Sequence, residues 1–222
     1  MQRKAPIQRK SKETQIEGSI NVDGAGITKI KTPIGFLNHM LDLFAFHGYF
    51  DLDLSVTGDT HIDIHHTNED IGIALGNAFK EALGKEKSGI KRFGYAYAPM
   101  ESTVGFCVID ISGRGYFSIN TSGLKTAATE GADKLYPTMT QSIDLLKKQT
   151  QEGYTFSYFE HFMESFAHKL GATLSFTIQN PSDDLHTNLE TMFKSLGLAL
   201  DQATTIDPRR EGQVPSTKGI ID

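Results

Sequence analysis

The chain repeats one pattern twice, and this repeat constrains its fold more than any other feature. Residues 35–58 and 157–180 read GFLNHMLDLFAFHGYFDLDLSVTG and SYFEHFMESFAHKLGATLSFTIQN. Each segment has apolar residues at helical spacing, then a glycine (Gly48 or Gly171), then an alternating strand. A glycine at this point is typical of the C-terminal cap of a helix. The sequence therefore predicts an internal duplication.

A second helical pattern follows each strand, in HHTNEDIGIALGNAFKEALG and HTNLETMFKSLGLALDQA. The segments before each unit, 14–26 and 94–113, read as strand-rich hairpins with glycine turns. Each half is thus predicted to be a small sheet backed by two helices, an α+β arrangement. We place the halves at 1–92 and 93–222, with a long polar insertion at about 120–156, within one compact domain.

All eight histidines fall within the two repeated units. His65 follows His39 by 26 residues, and His186 follows His161 by 25 residues. Histidines that only filled space in a core would not be confined to two matching segments. The repeated spacing therefore indicates a shared chemical role for the two sets.

The stretch HIDIHHTNED, residues 61–70, indicates metal binding. On a helix His65 and Glu69 share a face, and His186 and Glu190 repeat this spacing. Adjacent residues such as His65 and His66 point about 100° apart, so a single metal is unlikely to bind both. Two metals suit them better, or one metal within the chain and one shared with a neighbouring subunit. Imidazole with carboxylate is the ligand set of divalent manganese, iron or zinc.

The acidic residues Asp63 and Asp70 flank this cluster. We expect them to act as partners that orient the imidazole rings. Acidic residues at a helix start also complement the helix dipole, but this explanation leaves the repeated histidines unexplained.

Composition limits the remaining functions. The net charge of −5 gives no general attraction to nucleic acid or to an anionic membrane. The single cysteine, Cys107, lies in an alternating strand pattern and is expected to be a buried thiol, not a metal ligand. The basic start, MQRKAPIQRK, has no apolar segment of a signal peptide, and no apolar run reaches the ~18 residues of a membrane span. We expect a cytoplasmic protein.

Several motifs resemble the imidazoleglycerol-phosphate dehydratase family. In chain order they are GFLNHMLDLFAFHGYFDL, HIDIHHTNEDIGIALGNAFKEALG, RFGYAYAPM, DISGRGY, EHFMESFA, the helix with FKSLGLAL, and PSTKG. They cover residues 1–118 and 157–222, whereas the insertion shows no match. The resemblance implies the dehydration of imidazole glycerol phosphate to imidazole acetol phosphate in histidine biosynthesis, through a metal-stabilised imidazolate.

The same resemblance implies a structure and an assembly. Each half would have a four-stranded sheet with two helices, a fold like domain 2 of ribosomal protein S5. Chains would form trimers and then a 24-subunit shell, with active sites between subunits. Each site would hold two Mn(II) ions, each bound by three histidines and one glutamate.

Carried onto this chain, the resemblance names three groups of residues. The metal ligands would be His39, His65, His66, Glu69, His161, His186 and Glu190. The substrate phosphate would be bound by Arg92, Arg114, Ser216 and Lys218. Catalytic roles would belong to Glu13, Glu69 and His47.

Four positions depart from the family pattern. Asn38 stands where the family has aspartate, Ile64 interrupts its H-x-D-D-H-H motif, and Ser102 replaces a carboxylate. Thr187 stands at the eighth ligand position, which is a histidine in the family. These departures leave two alternatives beside an active dehydratase: a catalytically weak homologue kept as a metal-dependent assembly, or another metal-dependent lyase or hydrolase that acts on a related phosphate.

Overall fold

The computed structural model describes residues 3–85, 87–121, 146–210 and 212–221. In this part of the chain ten strands form two four-stranded sheets and one small hairpin. The first sheet contains β1 (Lys4–Lys10), β2 (Thr14–Asn21), β3 (Thr28–Lys31) and β4 (Asp51–Gly58). The second contains β5 (Phe93–Met100), β6 (Thr103–Asp110), β7 (Tyr116–Thr121) and β10 (Thr173–Gln179). The hairpin pairs β8 (Thr150–Gln151) with β9 (Tyr154–Thr155).

Four long α-helices of the described residues lie between the two sheets. They are α1 (Gly35–His47), α2 (Ile64–Ala82), α3 (Phe156–Leu170) and α4 (Leu185–Thr204). A short 3₁₀ turn, Pro208–Arg210, follows α4. Among the described helices, none combines the length and the apolar character needed to cross a membrane.

The two sheets have the same topology. Their strand orders are β1-β2-β4-β3 and β5-β6-β10-β7. In each sheet an antiparallel hairpin (β1–β2 or β5–β6) pairs with the strand after the first helix of that half (β4 or β10). The remaining strand, β3 or β7, pairs in parallel with β4 or β10. The predicted duplication of an α+β unit is therefore confirmed. Most of the predicted insertion, residues 122–145, lies outside the described residues.

The helices pair across the duplication rather than within each half. Helix α1 packs against α4, and α2 packs against α3. Two glycines at matching positions allow these close contacts. A Cβ at Gly76 would lie 2.6 Å from the Phe166 carbonyl oxygen, and one at Gly197 would lie 2.4 Å from that of Phe44. Either side chain would collide with the backbone of the facing helix, so the two crossings depend on glycine.

The core fills the space between the helices and the inner faces of the sheets. Phe44, Phe79 and Phe166 meet edge to face where helices from both halves converge. Cys107 lies fully buried in β6, and burial raises the pKa of its thiol. The expectation of a buried thiol is therefore confirmed.

The two capping glycines differ. Gly171 adopts the left-handed conformation after α3, with φ of 74°, as the capping pattern predicts. Gly48 does not, because its φ is −89° and the next residue, Tyr49, takes the positive φ of 56°. Gly48 lies at the end of α1, as predicted, but a left-handed conformation is not the reason for a glycine there. A Cβ there would lie 2.3 Å from the Phe50 ring and 3.0 Å from the Gly197 carbonyl oxygen, so packing requires glycine at this position.

Candidate active site

One group of metal-ligating side chains joins α1 to α4, and we call it cluster A: His39, His186 and Glu190. His186 Nε2 lies 3.1 Å from Glu190 Oε2, and His39 Nε2 lies 3.5 Å from the same oxygen. One ligand atom from each residue lies within 4.8 Å of the others. Bonds of about 2.0–2.2 Å hold the ligand atoms of one ion within ~4.4 Å, so this donor set fits a divalent ion after small shifts.

A second group joins α2 to α3, and we call it cluster B: His65, Glu69 and His161. His65 Nδ1 lies 3.1 Å from His161 Nδ1, and His65 Nε2 lies 3.6 Å from Glu69 Oε2. The two nitrogens of His65 thus face different partners, and the donors converge less closely than those of cluster A. Two imidazoles and one carboxylate nevertheless make the same ligand set.

The duplication relates the two clusters residue by residue. His39 on α1 corresponds to His161 on α3, since each lies on the first helix of its half. The pair His186 and Glu190 at the start of α4 corresponds to the i and i+4 pair at the start of α2. Because the helices pair across the duplication, each cluster takes one histidine from one half and its other two residues from the other half.

Aspartates at matching helix starts fix the backbone on which these pairs sit. Asp63 accepts a hydrogen bond from the backbone N–H of His65, and Asp184 accepts one from that of His186. Both are N-cap residues. Asp63 also accepts a hydrogen bond from the Tyr158 hydroxyl at 2.8 Å.

The expectation that Asp63 and Asp70 orient imidazole rings was wrong. The Asp63 carboxylate caps the helix, as described above. Asp70 points towards the first sheet, where it accepts a hydrogen bond from Thr14 Oγ1 at 2.5 Å and pairs with Arg9 at 2.7 Å. The position of these aspartates near the start of the helix did not show in which direction each carboxylate would point.

Lys194 contacts cluster A, and it was not predicted from the sequence. Its Nζ donates a hydrogen bond to Glu190 Oε1 at 2.5 Å. Partial burial acts to raise the pKa of Glu190, but the hydrogen bonds from Lys194 and the two histidines outweigh it and lower that pKa. The i, i+4 spacing from Glu190 to Lys194 was the available signal. The predicted His47 lies nearby, and its pKa is lowered by partial burial and by the charge of Lys194.

His66 belongs to neither cluster. Its Nδ1 lies 3.4 Å from Asp59 Oδ2 and 3.6 Å from Glu13 Oε2, and these three residues form what we call the outer group. The hydrogen bond to Asp59 and the charge of Glu13 raise the pKa of His66. The structure thus places the predicted catalytic Glu13 beside a predicted metal ligand. Asp59 was not expected, since the loop carries no sequence signal that singles it out.

The predicted phosphate-binding residues gather at one end of the second sheet. Arg92 binds Asp110 through Nε at 2.6 Å and Nη2 at 3.0 Å, and Nη1 donates to the Pro215 carbonyl oxygen at 3.0 Å. That contact anchors the C-terminal segment next to Ser216, whose Oγ accepts a hydrogen bond from the backbone N–H of Lys218 at 3.2 Å. Arginine has five N–H donors, so two of those on Arg92 remain for a phosphate.

Arg114 lies at the same end of the sheet, exposed in the loop after β6. The backbone N–H of Ile111 donates to the carbonyl oxygen of Arg92 at 3.1 Å, which holds this loop beside Arg92. We refer to Arg92, Arg114, Ser216 and Lys218 together as the phosphate end.

One chain does not bring the phosphate end to cluster A. The backbone N–H of Arg92 donates to the carbonyl oxygen of Ala203, near the end of α4. His186 lies at the other end of that helix, and a rise of 1.5 Å per residue separates the two by roughly 25 Å. A small substrate therefore cannot contact both sets of residues of one chain at once.

Comparison with known proteins identifies the family to which the chain is similar over most of its length. The sequence model of imidazoleglycerol-phosphate dehydratase matches residues 32–200. Enzymes of that name from Pelobacter propionicus and Geobacter metallireducens are 42% and 43% identical over 221 residues, with 100% of both chains covered. The crystal structure from Staphylococcus aureus has a TM-score of 0.71 at 30% identity, and covers 92% of this chain and 99% of its own. That from Pyrococcus furiosus, in complex with (S)-C348, has a TM-score of 0.72 at 31% identity, and covers 96% and 99%. The chain belongs to the imidazoleglycerol-phosphate dehydratase family.

Proposed function

We propose that clusters A and B hold the divalent metal ions with which this chain dehydrates imidazole glycerol phosphate in histidine biosynthesis. The observation that carries this assignment is the pair of matching groups, each with two histidines and one glutamate, formed where helices of opposite halves cross. Two ions suit the substrate because its imidazole ring has two nitrogens. When bound there, divalent ions would supply Lewis acidity, which favours loss of the N–H proton of the ring and so makes the ring a better electron donor.

The reaction needs this Lewis acidity because the proton that is removed is not acidic. That proton is on the carbon next to the one that loses its hydroxyl group. A side chain must take that proton. Glu13 suits the role because its carboxylate is half exposed and is not part of either cluster. Glu69 is the alternative, but it already serves cluster B.

The phosphate end supplies binding and orientation. Lys218 and Arg114 offer charge-assisted hydrogen bonds to phosphate oxygens, and the Ser216 hydroxyl adds a neutral one. Arg92 has a further role, because its bonds to Asp110 and Pro215 hold the C-terminal segment in place. Binding energy from the unreactive phosphate thus positions the reacting carbons.

Self-association is part of the proposal. The roughly 25 Å between cluster A and the phosphate end implies that residues of two chains meet around one substrate. Trimers and a 24-subunit assembly, Mn(II) as the ion, and a cytoplasmic location are the specific forms we propose. Removal of metal should then favour smaller particles, since an ion shared between chains links its binding to association.

The test is a dehydratase assay run beside a metal count. Purified protein is stripped with a chelator, refilled with Mn(II), and assayed for formation of imidazole acetol phosphate. Activity should be lost on stripping and return as Mn(II) binds. A Glu164→Gln variant serves as a control because Glu164 is an exposed acid on α3 that belongs to neither cluster. Equal turnover before and after thorough stripping would contradict the proposal.

A further inference from the structure

The outer group is centred on His66, whose Nδ1 faces Asp59 and Glu13. The neighbouring His65 ring, 5.9 Å away, turns its nitrogens instead towards the other members of cluster B. The His66 side chain is 42% exposed, and Glu13 and Asp59 flank it from the first sheet. His66 is therefore placed to bind an ion that lies outside its own chain's clusters.

The second half has no carboxylate to match Glu13. Strand β2 begins at Thr14 and β6 begins at Thr103, and both threonines are buried first residues of the second strand in their sheets. Glu13 directly precedes Thr14, and Ser102 directly precedes Thr103. The serine offers a hydroxyl, which is a poorer ligand for a divalent transition-metal ion than a carboxylate.

Asp59 is likewise without a counterpart. It follows Gly58, which pairs with the first residue of β2. In the second half Asn180 occupies the position of Gly58, because Gln179 pairs with Val104 and the next residue along comes opposite Thr103. The residue after Asn180 is Pro181, which has no side-chain donor atom.

The position of His66 is taken by Thr187. Each is the third residue after the N-cap aspartate, Asp63 or Asp184. Thr187 is 8% exposed, and its hydroxyl donates to Asp184 Oδ2 at 2.8 Å. That carboxylate also accepts the backbone N–H of Thr187 at 3.0 Å, so it is engaged as a helix cap.

All three members of the outer group are thus replaced in the second half by residues with a poorer donor atom or none. We propose that the chain therefore binds its two metal ions unequally: one ion is completed by His66 of a second copy, and the other lacks such a histidine. This inference rests on the proposed function, since it takes both clusters to be metal sites. The less supported ion keeps two histidines and one glutamate, and water fills its remaining positions.

The test is titration of the stripped protein with Mn(II) alone, followed by calorimetry and by metal count. The unmodified protein should bind one ion about 10–100-fold more tightly than the other, the range seen when groups that support a metal site are lost. Thr187→His should bring the two affinities together at the tighter value. Thr187→Ser keeps the hydroxyl and should leave the titration unchanged.

His66→Thr gives a test that does not depend on fitting a histidine at the buried position 187. It replaces a half-exposed side chain with a smaller one, and should leave two weak sites of similar affinity. Melting curves with and without Mn(II) confirm that each variant is folded. Two equal tight sites in the unmodified protein, or an unchanged titration for His66→Thr, would overturn the inference. Absence of any Mn(II) binding would overturn the proposed function as well.

Discussion

Clusters A and B have the same ligands in different surroundings. The Glu190 side chain of cluster A is 11% exposed and is held by Lys194, whereas the Glu69 side chain of cluster B is 43% exposed. Ile73 takes the place of the lysine, four residues after Glu69. The carboxylate of cluster A is therefore held by a mostly buried ion pair with Lys194, and the carboxylate of cluster B is more open to solvent. The duplication kept the proposed metal ligands but not the lysine that holds one of them in place.

The largest expected effect comes from removing the ligand carboxylates. Glu190→Gln and Glu69→Gln should each reduce the affinity of one Mn(II) ion by more than about 100-fold, because each removes the charged ligand of its cluster. Calorimetric titration of the stripped variants measures this. If either substitution reduced the affinity for both ions equally, the two clusters would not be separate sites, and the comparison between them would be wrong.

The two helix crossings should contribute equally to stability, although the two clusters differ. Gly76→Ala and Gly197→Ala each place a Cβ against a backbone carbonyl oxygen of the facing helix. Each should lower the free energy of unfolding by about 1–3 kcal/mol, measured by urea denaturation. Gly35→Ala is the control, since a Cβ there meets nothing within 4 Å. Neutral behaviour of both substitutions would argue against the pairing of helices across the duplication.

The phosphate end should be separable from both clusters. Lys218→Ala and Arg114→Ala each remove one charge-assisted hydrogen bond, worth roughly 1.5–3 kcal/mol, so KM should rise about 10–100-fold. Metal content should stay at the level of the unmodified protein. Steady-state kinetics beside a metal count decides this, and a variant that lost metal along with substrate affinity would show that the roles are not divided in this way.

The smallest effect concerns Lys194 and acid stability. Because the pKa of Glu190 is lowered in the folded chain, its contribution to stability is complete above the unfolded pKa, about 4.3, and is lost as pH falls through the lower folded value. Lys194→Met should remove part of this contribution. In metal-free protein its melting temperature should fall by about 2–4 °C at pH 7, with a smaller difference near pH 3. An equal difference at both pH values would mean that Lys194 acts through packing alone.

Much of the fold could be predicted from the repeat, because helical and strand periodicities are local properties of the sequence. The pairing of helices could not. His39 and His186 lie far apart along the chain, and nothing in the period of either helix states which neighbour it will face. The direction of Asp70 was missed for a related reason, since only the packed sheet shows that Thr14 and Arg9 bind it.

The candidate site shows the same division. The i, i+4 pairs that begin α2 and α4 were visible in the sequence, because a helix places such residues on one face. Lys194 follows the same rule and could have been found. Asp59 could not, because its contact with His66 depends on where a loop ends, and the phosphate end could be assigned only through family resemblance.

The most direct test of the account is a crystal structure of the protein soaked with Mn(II), with anomalous diffraction recorded at the manganese edge. The account predicts one peak among His39, His186 and Glu190 and another among His65, His161 and Glu69, with the second nitrogen of each imidazole turned away from the ion. The peaks should differ in occupancy at limiting Mn(II). Ions found only at exposed carboxylates, with both clusters empty, would contradict the central claim that helices from opposite halves meet to form the metal sites.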